Sequence, residues 1–308
     1  MEPRRYRDSA DWRAMLDLLA AGRRAANGTY YVHTGDVSWW LYYHGGPDPF
    51  ADQIWLWEDA AGRLLGWVLF TPDGGYFDLF VQPELCGTAA EAAMHLWAEA
   101  QITARVRALG GRHIRVFWIE AGDTLRQARL EGRGFARGAD AMNYMEQGLT
   151  DLAPAAPVPA GFTVRPVSLP ADLEARPRAS YGAFRSTWEW ERYRARYERF
   201  TQSPVYSAER DLVAAGPGGV VAAFTVWWVD EANGLGYFEP VGTHPDYQRR
   251  GLGRAVLQTA LRQMRALGLR RAGVCTYISN PGAVAFYEAC GFRTAARLWL
   301  YEKSIDLV

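Results

Sequence analysis

The chain carries one architectural plan twice, and this repetition constrains its fold more than any other feature. A helical pattern at 8–26, with Trp12, Met15, Leu16 and Leu19 at helical spacing, precedes strand-like runs at 54–58, 63–71 and 75–82 that suggest an antiparallel meander. A long helix over 88–109, a strand over 112–119, a short helix over 123–131 and a strand over 135–147 follow. From Phe162 the order recurs. A strand at 162–166 and a helical region at 171–200 lead to strands at 210–215, 220–230 and 235–243, a helix to about Leu267, a strand at 271–276, a helix at 281–290 and a strand at 292–304. Short stretches match as well: Arg133-Gly134-Phe135 and Cys290-Gly291-Phe292 stand at the same helix-to-strand corner, and Arg63 to Trp67 takes the place of Gly219 to Ala223 before a long strand. Repetition on this scale indicates duplication. Between the copies, Pro154, Pro157 and Pro159 among alanines predict an extended, semi-rigid linker over 151–161, separating units 1–150 and 162–308. A length of 308 residues suits two cores.

Composition excludes several classes of function. Charged residues make up 22% and hydrophobic residues 49%, and no stretch approaches the roughly 20 apolar residues of a membrane span. The basic N-terminus lacks an apolar run behind it, so a signal peptide is not expected and a cytoplasmic location is. A formal net charge of +0 predicts no global attraction to nucleic acid or anionic membrane. Cys86, Cys275 and Cys290 form no Cys-x-x-Cys pair, and the five histidines show no metal-ligand spacing, so no metal is expected.

One stretch of the second half carries chemistry. Glu239 to Arg254 reads as a strand ending, a tight basic turn and a helix beginning. The first N–H groups of a helix lack intrahelical partners, and its dipole favours an anion there. Gly251 and Gly253 would let backbone approach phosphate oxygens, with Arg249, Arg250 and Arg254 adding charge. A Gly-x-Gly turn with solvated arginines fits the same residues. A P-loop needs Lys-Ser/Thr after the second glycine, but Arg254-Ala255 follows Gly253; a dinucleotide fingerprint needs a third small residue where Val256 stands.

Gln248-Arg249-Arg250-Gly251-Leu252-Gly253 resembles the acyl-CoA motif of GNAT-type N-acetyltransferases, and Asn280 to Phe292 resembles the same family's Asn-x-x-Ala…Tyr-x-x-x-Gly-Phe segment. The resemblance covers the second half from Phe162 to about Glu302. The first half matches as a degenerate copy: Val81 to Thr88 has no arginine and no Gly-x-Gly, and Leu130 stands opposite Tyr287. The layout is similar to that of tandem enzymes such as mycothiol synthase. The resemblance implies an α/β (α+β) protein of two GNAT-like domains, each a mixed, mostly antiparallel twisted sheet flanked by helices, with a non-catalytic first domain. It implies acetyl-CoA or a related acyl-CoA as co-substrate and transfer to a small-molecule primary amine by direct attack in a ternary complex. The rival reading is a CoA-sensing or scaffolding module with the same fold and no turnover.

Carried onto this sequence, the family's pantetheine-binding backbone falls on Val241, Gly242 and Thr243, and its pyrophosphate turn on Gln248 to Arg254. Asn280 caps the following helix, Tyr287 takes the place of the tyrosine that donates to the leaving sulfur, and Glu239 is the candidate general base. Strand alternation places Tyr237, Glu239, Val241 and Thr243 on one face. For the acceptor, Trp188, Trp190, Trp227 and Tyr237 are candidates, since ring faces and nearby glutamates suit a cationic amine; a face of core aromatics fits equally. Tyr30, Tyr31, Trp39, Trp40, Tyr42 and Tyr43 form a second aromatic group, suited to a pocket wall or to a structural layer. A tandem chain mimics a dimer of single domains, so a monomer or weak homodimer is expected.

Overall fold

A computed structural model describes residues 2–26, 31–44 and 49–306. Tyr30 lies outside the described residues. The first half comprises β1 (Arg4–Arg5), α1 (Ser9–Ala26), α2 (Thr34–Ser38) running into a π-helical turn at Trp39–His44, α3 (Pro49–Gln53), β2 (Ile54–Glu58), β3 (Leu64–Thr71), β4 (Tyr76–Val81), α4 (Ala89–Ala108), β5 (His113–Glu120), α5 (Thr124–Gly132) and β6 (Ala136–Gly148). The second comprises β7 (Thr163–Pro166), α6 (Ala175–Ala183), α7 (Trp190–Phe200), β8 (Asp211–Ala215), β9 (Val221–Asp230), β10 (Leu235–Thr243), α8 (Leu252–Ala266), β11 (Arg271–Tyr277), α9 (Pro281–Ala289) and β12 (Arg293–Ser304). The periodicities therefore located the elements closely, and β2–β3–β4 form the expected antiparallel meander.

Instead of one sheet per half, the strands form a single twelve-stranded sheet in the order β1-β2-β3-β4-β5-β12-β6-β11-β10-β9-β8-β7. The halves exchange their last strands. β6 pairs antiparallel with β11 of the second half, β12 pairs antiparallel with β5 of the first, and β6 and β12 lie side by side at the centre. Sequence pattern specifies which face of a strand is buried but not which neighbour completes its backbone hydrogen bonds, so the exchange is invisible until the strands are placed.

Three main cores result. Beneath α4 and α5, Val68, Phe70, Phe77, Ile102 and Phe135 pack together; beneath α8, Phe238, Val256, Leu257, Leu261 and Met264 do the same. The third core joins the halves: Trp12, Tyr31 and Trp67 of the first half share it with Tyr193, Phe200 and Trp228 of the second. Polar contacts cross there as well, with the Arg196 Nε–H donating to the Tyr43 carbonyl at 2.7 Å and the Tyr43 hydroxyl to that of Tyr193 at 2.6 Å. Residues 151–161 follow α8, the Ala156 N–H donating to Gln258 at 2.8 Å and Arg262 to the Ala153 carbonyl at 2.8 Å.

The described residues include no helix long and apolar enough to cross a membrane. They include no group of three or more His, Cys, Asp or Glu side chains able to hold a metal ion.

Candidate active site

β10 is the element around which the site is built. It pairs in parallel with β11 only from Leu235 to Phe238, opposite Arg271 to Val274, and beyond that point the two strands part. On its other edge, the pairing with β9 slips between Phe238 and Val241, an extra residue bulging out at Glu239-Pro240. The bulge corrects the simple alternation expected for this strand. Tyr237 faces the core shared by the halves, whereas Val241 packs against the core under α8.

In the opening lies a cleft of about 690 Å³ lined by Val241, Gly242 and Thr243, by Gln248, Arg249 and the first residues of α8, and by Asn280 and Tyr287 of the α9 segment. Two glycines shape its end. Gly251 holds the helix N-cap position in the left-handed region at φ 83°, and a Cβ on Gly253 would lie 2.8 Å from Thr243 Oγ1. Arg249 is also left-handed, at φ 61°, a conformation that costs an L-residue about 1–2 kcal/mol. The first backbone hydrogen bond entering α8 is donated by Ala255 to the Gly251 carbonyl at 3.0 Å. Among the described residues, the N–H groups of 249–254 thus have no backbone acceptor. Arg249, Arg250 and Arg254 are exposed around them. Uncapped donors, a helix N-terminus and three guanidiniums together suit an anion.

The other wall is set by local sequence. Asn280 Oδ1 accepts the Ala283 N–H at 3.1 Å and Pro281 occupies the first helical position, which fixes where α9 starts. Tyr287 is thereby held at the cleft, 6% exposed. Burial, and then the Glu239 charge, push its phenol above the ordinary range, so it stays protonated at neutral pH.

The corresponding turn of the first half is closed by its own side chains. Thr88 Oγ1 accepts the Glu91 N–H at 3.4 Å, and the Glu91 carboxylate accepts both the Gly87 N–H and Arg129 at 2.7 Å. Arg129 also donates to the Gly87 carbonyl. A carboxylate thus stands at this helix N-terminus, and Leu130 lines the neighbouring cavity.

Residues 175–292 match the acetyltransferase (GNAT) family. The chain is similar to a mycothiol acetyltransferase of Kineococcus radiotolerans, 33% identical over 197 residues that cover 61% of each chain. It therefore spans about three fifths of that relative's length. A GCN5-related N-acetyltransferase of Sphaerobacter thermophilus shares the fold over 98% of this chain and 95% of its own, with a TM-score of 0.67 and 22% identity. A tandem GNAT protein of the clavulanic acid biosynthesis pathway does so over 98% and 97%, with a TM-score of 0.69 and 18% identity.

The chain has the fold of a tandem GNAT protein, and the family match lies in its second half. A second cavity, about 360 Å³, is walled largely by the first half: Asp36, Trp39, Trp40, Tyr76, Asp78 and Trp118 line it with Tyr277 and with Glu239, two residues before Val241 of the cleft. Sequence reasoning singled out Trp39 and Trp40 as a possible wall but left Asp36 and Asp78 unnoticed, because nothing local marks a carboxylate that tertiary packing will bury. α2 seats Asp36 firmly. The Asp36 carboxylate accepts the His33 N–H at 2.9 Å while His33 Nδ1 accepts that of Gly35 at 3.0 Å, and Gly35 packs so closely on Trp228 that a Cβ would lie 2.2 Å from the indole. The Trp228 Nε1–H in turn donates to the Glu239 carbonyl at 2.7 Å. Burial, reinforced by Asp36, pushes the Glu239 carboxyl well above the ordinary range.

Trp188, Trp190, Trp227 and Tyr237 line neither cavity. Trp188 is covered by Arg192 and Arg196 at 4.0 and 3.9 Å, and Trp190 by Arg178 at 4.1 Å, so the protein's own cations take those ring faces. Trp227 packs under α8, its Nε1–H donating to Gln263 at 3.2 Å, and the Tyr237 ring stacks on His33 at 5.0 Å within the shared core.

Proposed function

We propose that this chain transfers an acetyl group from acetyl-CoA to a small-molecule primary amine by direct attack in a ternary complex, with chemistry confined to residues 162–308. The observation that carries the reading is the parting of β10 from β11 beside an uncapped, arginine-bearing helix N-terminus. Acetyl-CoA supplies the acyl group as a thioester. The backbone of Val241, Gly242 and Thr243 holds the pantetheine arm, and residues 248–254 with Asn280 hold the pyrophosphate end.

An amine with a pKa near the lysine value of about 10.4 reaches the site protonated. Glu239 removes that proton. Burial and the neighbouring Asp36 raise its affinity for a proton, as a general base requires, and it lines the acceptor cavity two residues before Val241 of the donor cleft. The neutral amine forms the C–N bond as the C–S bond breaks; Tyr287, protonated and lining the donor cleft, donates to the departing sulfur, and the proton that the acylated nitrogen sheds restores the phenol. The first half carries no donor site because Glu91 and Arg129 occupy its helix N-terminus. It completes the acceptor cavity instead, and 151–161 is the boundary between the units. Strand exchange within one chain supports a monomer.

Calorimetry with acetyl-CoA should give heat for the wild type and none for Gly251→Glu, and thiol release should follow with some member of a panel of primary amines. Tyr287→Phe should lower turnover about 10²-fold with acetyl-CoA affinity near wild type. Absence of wild-type heat refutes the donor site; binding without thiol release across the panel makes the chain a CoA-binding module.

A further inference from the structure

The acceptor cavity has an uncommon polarity: a largely aromatic floor with Asp78 towards one end and Glu239 at the other. Its lining crosses the sheet from Leu69 and Thr71 on β3 and Asp78 on β4, through Phe117 and Trp118 on β5, Met142 on β6 and Tyr277 on β11, to Glu239 on β10. In the sheet order β4-β5-β12-β6-β11-β10 these two carboxylates are five strand steps apart, which at about 4.8 Å each bounds their separation at roughly 24 Å before twist and curvature shorten it. Asp36 belongs to the Glu239 end, since its charge acts on that carboxyl.

The floor between is aromatic. The Phe117 ring stacks on Tyr277 at 6.1 Å, and Trp118 meets Trp40 at 5.6 Å. Consecutive side chains of a strand normally point to opposite faces, yet both Phe117 and Trp118 line this cavity. A bulge in the β5–β12 pairing, with Trp118 left-handed at φ 61°, turns the second ring inward. No Lys, Arg or His stands in the lining among the described residues. Arg23 and Arg126 act on Asp36 and Asp78 from outside it, and burial still pushes both carboxyls up to about 7.

The geometry points to a linear α,ω-diamine as the acceptor, its alkyl chain lying across the aromatic floor, one ammonium at Glu239 and Asp36 and the other at Asp78. The inference rests on the reading of Glu239 as the group that meets the reacting amine. A monoamine leaves Asp78 with no cation inside the cavity, only the Phe117 N–H and the Arg126 charge outside it, and a polar chain would have to shed water onto ring faces. A diamine with apolar methylenes meets both demands.

Calorimetry on the full chain without acetyl-CoA tests this, using α,ω-diaminoalkanes of four to ten carbons against n-alkylamines of equal length. At the best length the diamine should bind about tenfold tighter or better, and in Asp78→Asn the ratio of diamine to monoamine affinity should fall towards one. Equal affinities at every length, or a ratio untouched by Asp78→Asn, overturn the inference. If Asp78→Asn does not fold, the wild-type length series decides alone. A diamine preference without thiol release on adding acetyl-CoA would refute the transferase reading and leave the cavity's selectivity standing. Thiol release from monoamines without a diamine preference would do the reverse.

Discussion

Replacing Gly253 by alanine sets two effects against each other. The new methyl would stand 2.8 Å from Thr243 Oγ1, closer than ordinary van der Waals contact allows. Overpacking of this kind costs about 1–3 kcal/mol. Against it, exchanging glycine for alanine inside a helix returns about 0.8–1 kcal/mol, and less at the second helical position than in the interior. The steric effect wins, with a net loss of about 1–2 kcal/mol and a fall in Tm of roughly 2–4 °C for each. Both residues line the donor cleft, so displacement of β10 from α8 should also weaken acetyl-CoA binding, about tenfold for every 1.4 kcal/mol. The decisive assay is a double-mutant cycle with Thr243→Ala, followed by thermal unfolding and by calorimetry. Without the hydroxyl, the Gly253→Ala step should become neutral or stabilising by up to about 1 kcal/mol. An unchanged cost in the Thr243→Ala background would refute the reasoning, because the loss would then come from the backbone and not from the contact.

Three further outcomes follow from the geometry. Burial first, then Asp36, raises the Glu239 carboxyl above its ordinary 4.5, so the unfolded chain ionises before the native one and Glu239 costs stability as pH rises past that value. Glu239→Gln should therefore melt above wild type at pH 8 and level with it at pH 4, while lowering turnover about 10²-fold and flattening the alkaline rise in rate; equal melting at both pH values would contradict the burial. Asp211 is fully buried and accepts from Arg176 at 2.8 Å, Tyr197 at 2.8 Å and Tyr206 at 3.1 Å, so Asp211→Ala strands a buried guanidinium and should cost about 3–5 kcal/mol, read as a Tm lower by about 10 °C. Residues 1–161 and 162–308 expressed separately each lack a central strand, so they should regain acetyl-CoA binding only when mixed; full affinity in monomeric 162–308 would show the exchange to be dispensable.

Legibility in the sequence tracked the range of the interactions involved. Helix starts such as Asn280-Pro281 and the turn at Gly251 are decided by hydrogen bonds and dihedrals within a few residues, and they stand where the pattern put them. The cavity beside Glu239 is decided otherwise. Asp36, Asp78 and Glu239 come together from positions far apart in the chain through the shared core and the bulges in β5 and β10, none of which has a local signature. The tryptophans at 188 and 190 show the opposite failure: a composition suited to binding a cation is consumed by arginines of the same protein.

The exchange of β6 and β12 also bears on how the protein is made. Residues 1–148 leave the ribosome first, yet their sheet has a missing neighbour beside β5 until residues 293–304 emerge. At about 5–20 residues per second that wait lasts on the order of 10–30 s. Throughout it the nascent first half exposes an unpaired edge and an unfinished aromatic wall, so its safe passage depends on whatever shields such an edge during synthesis.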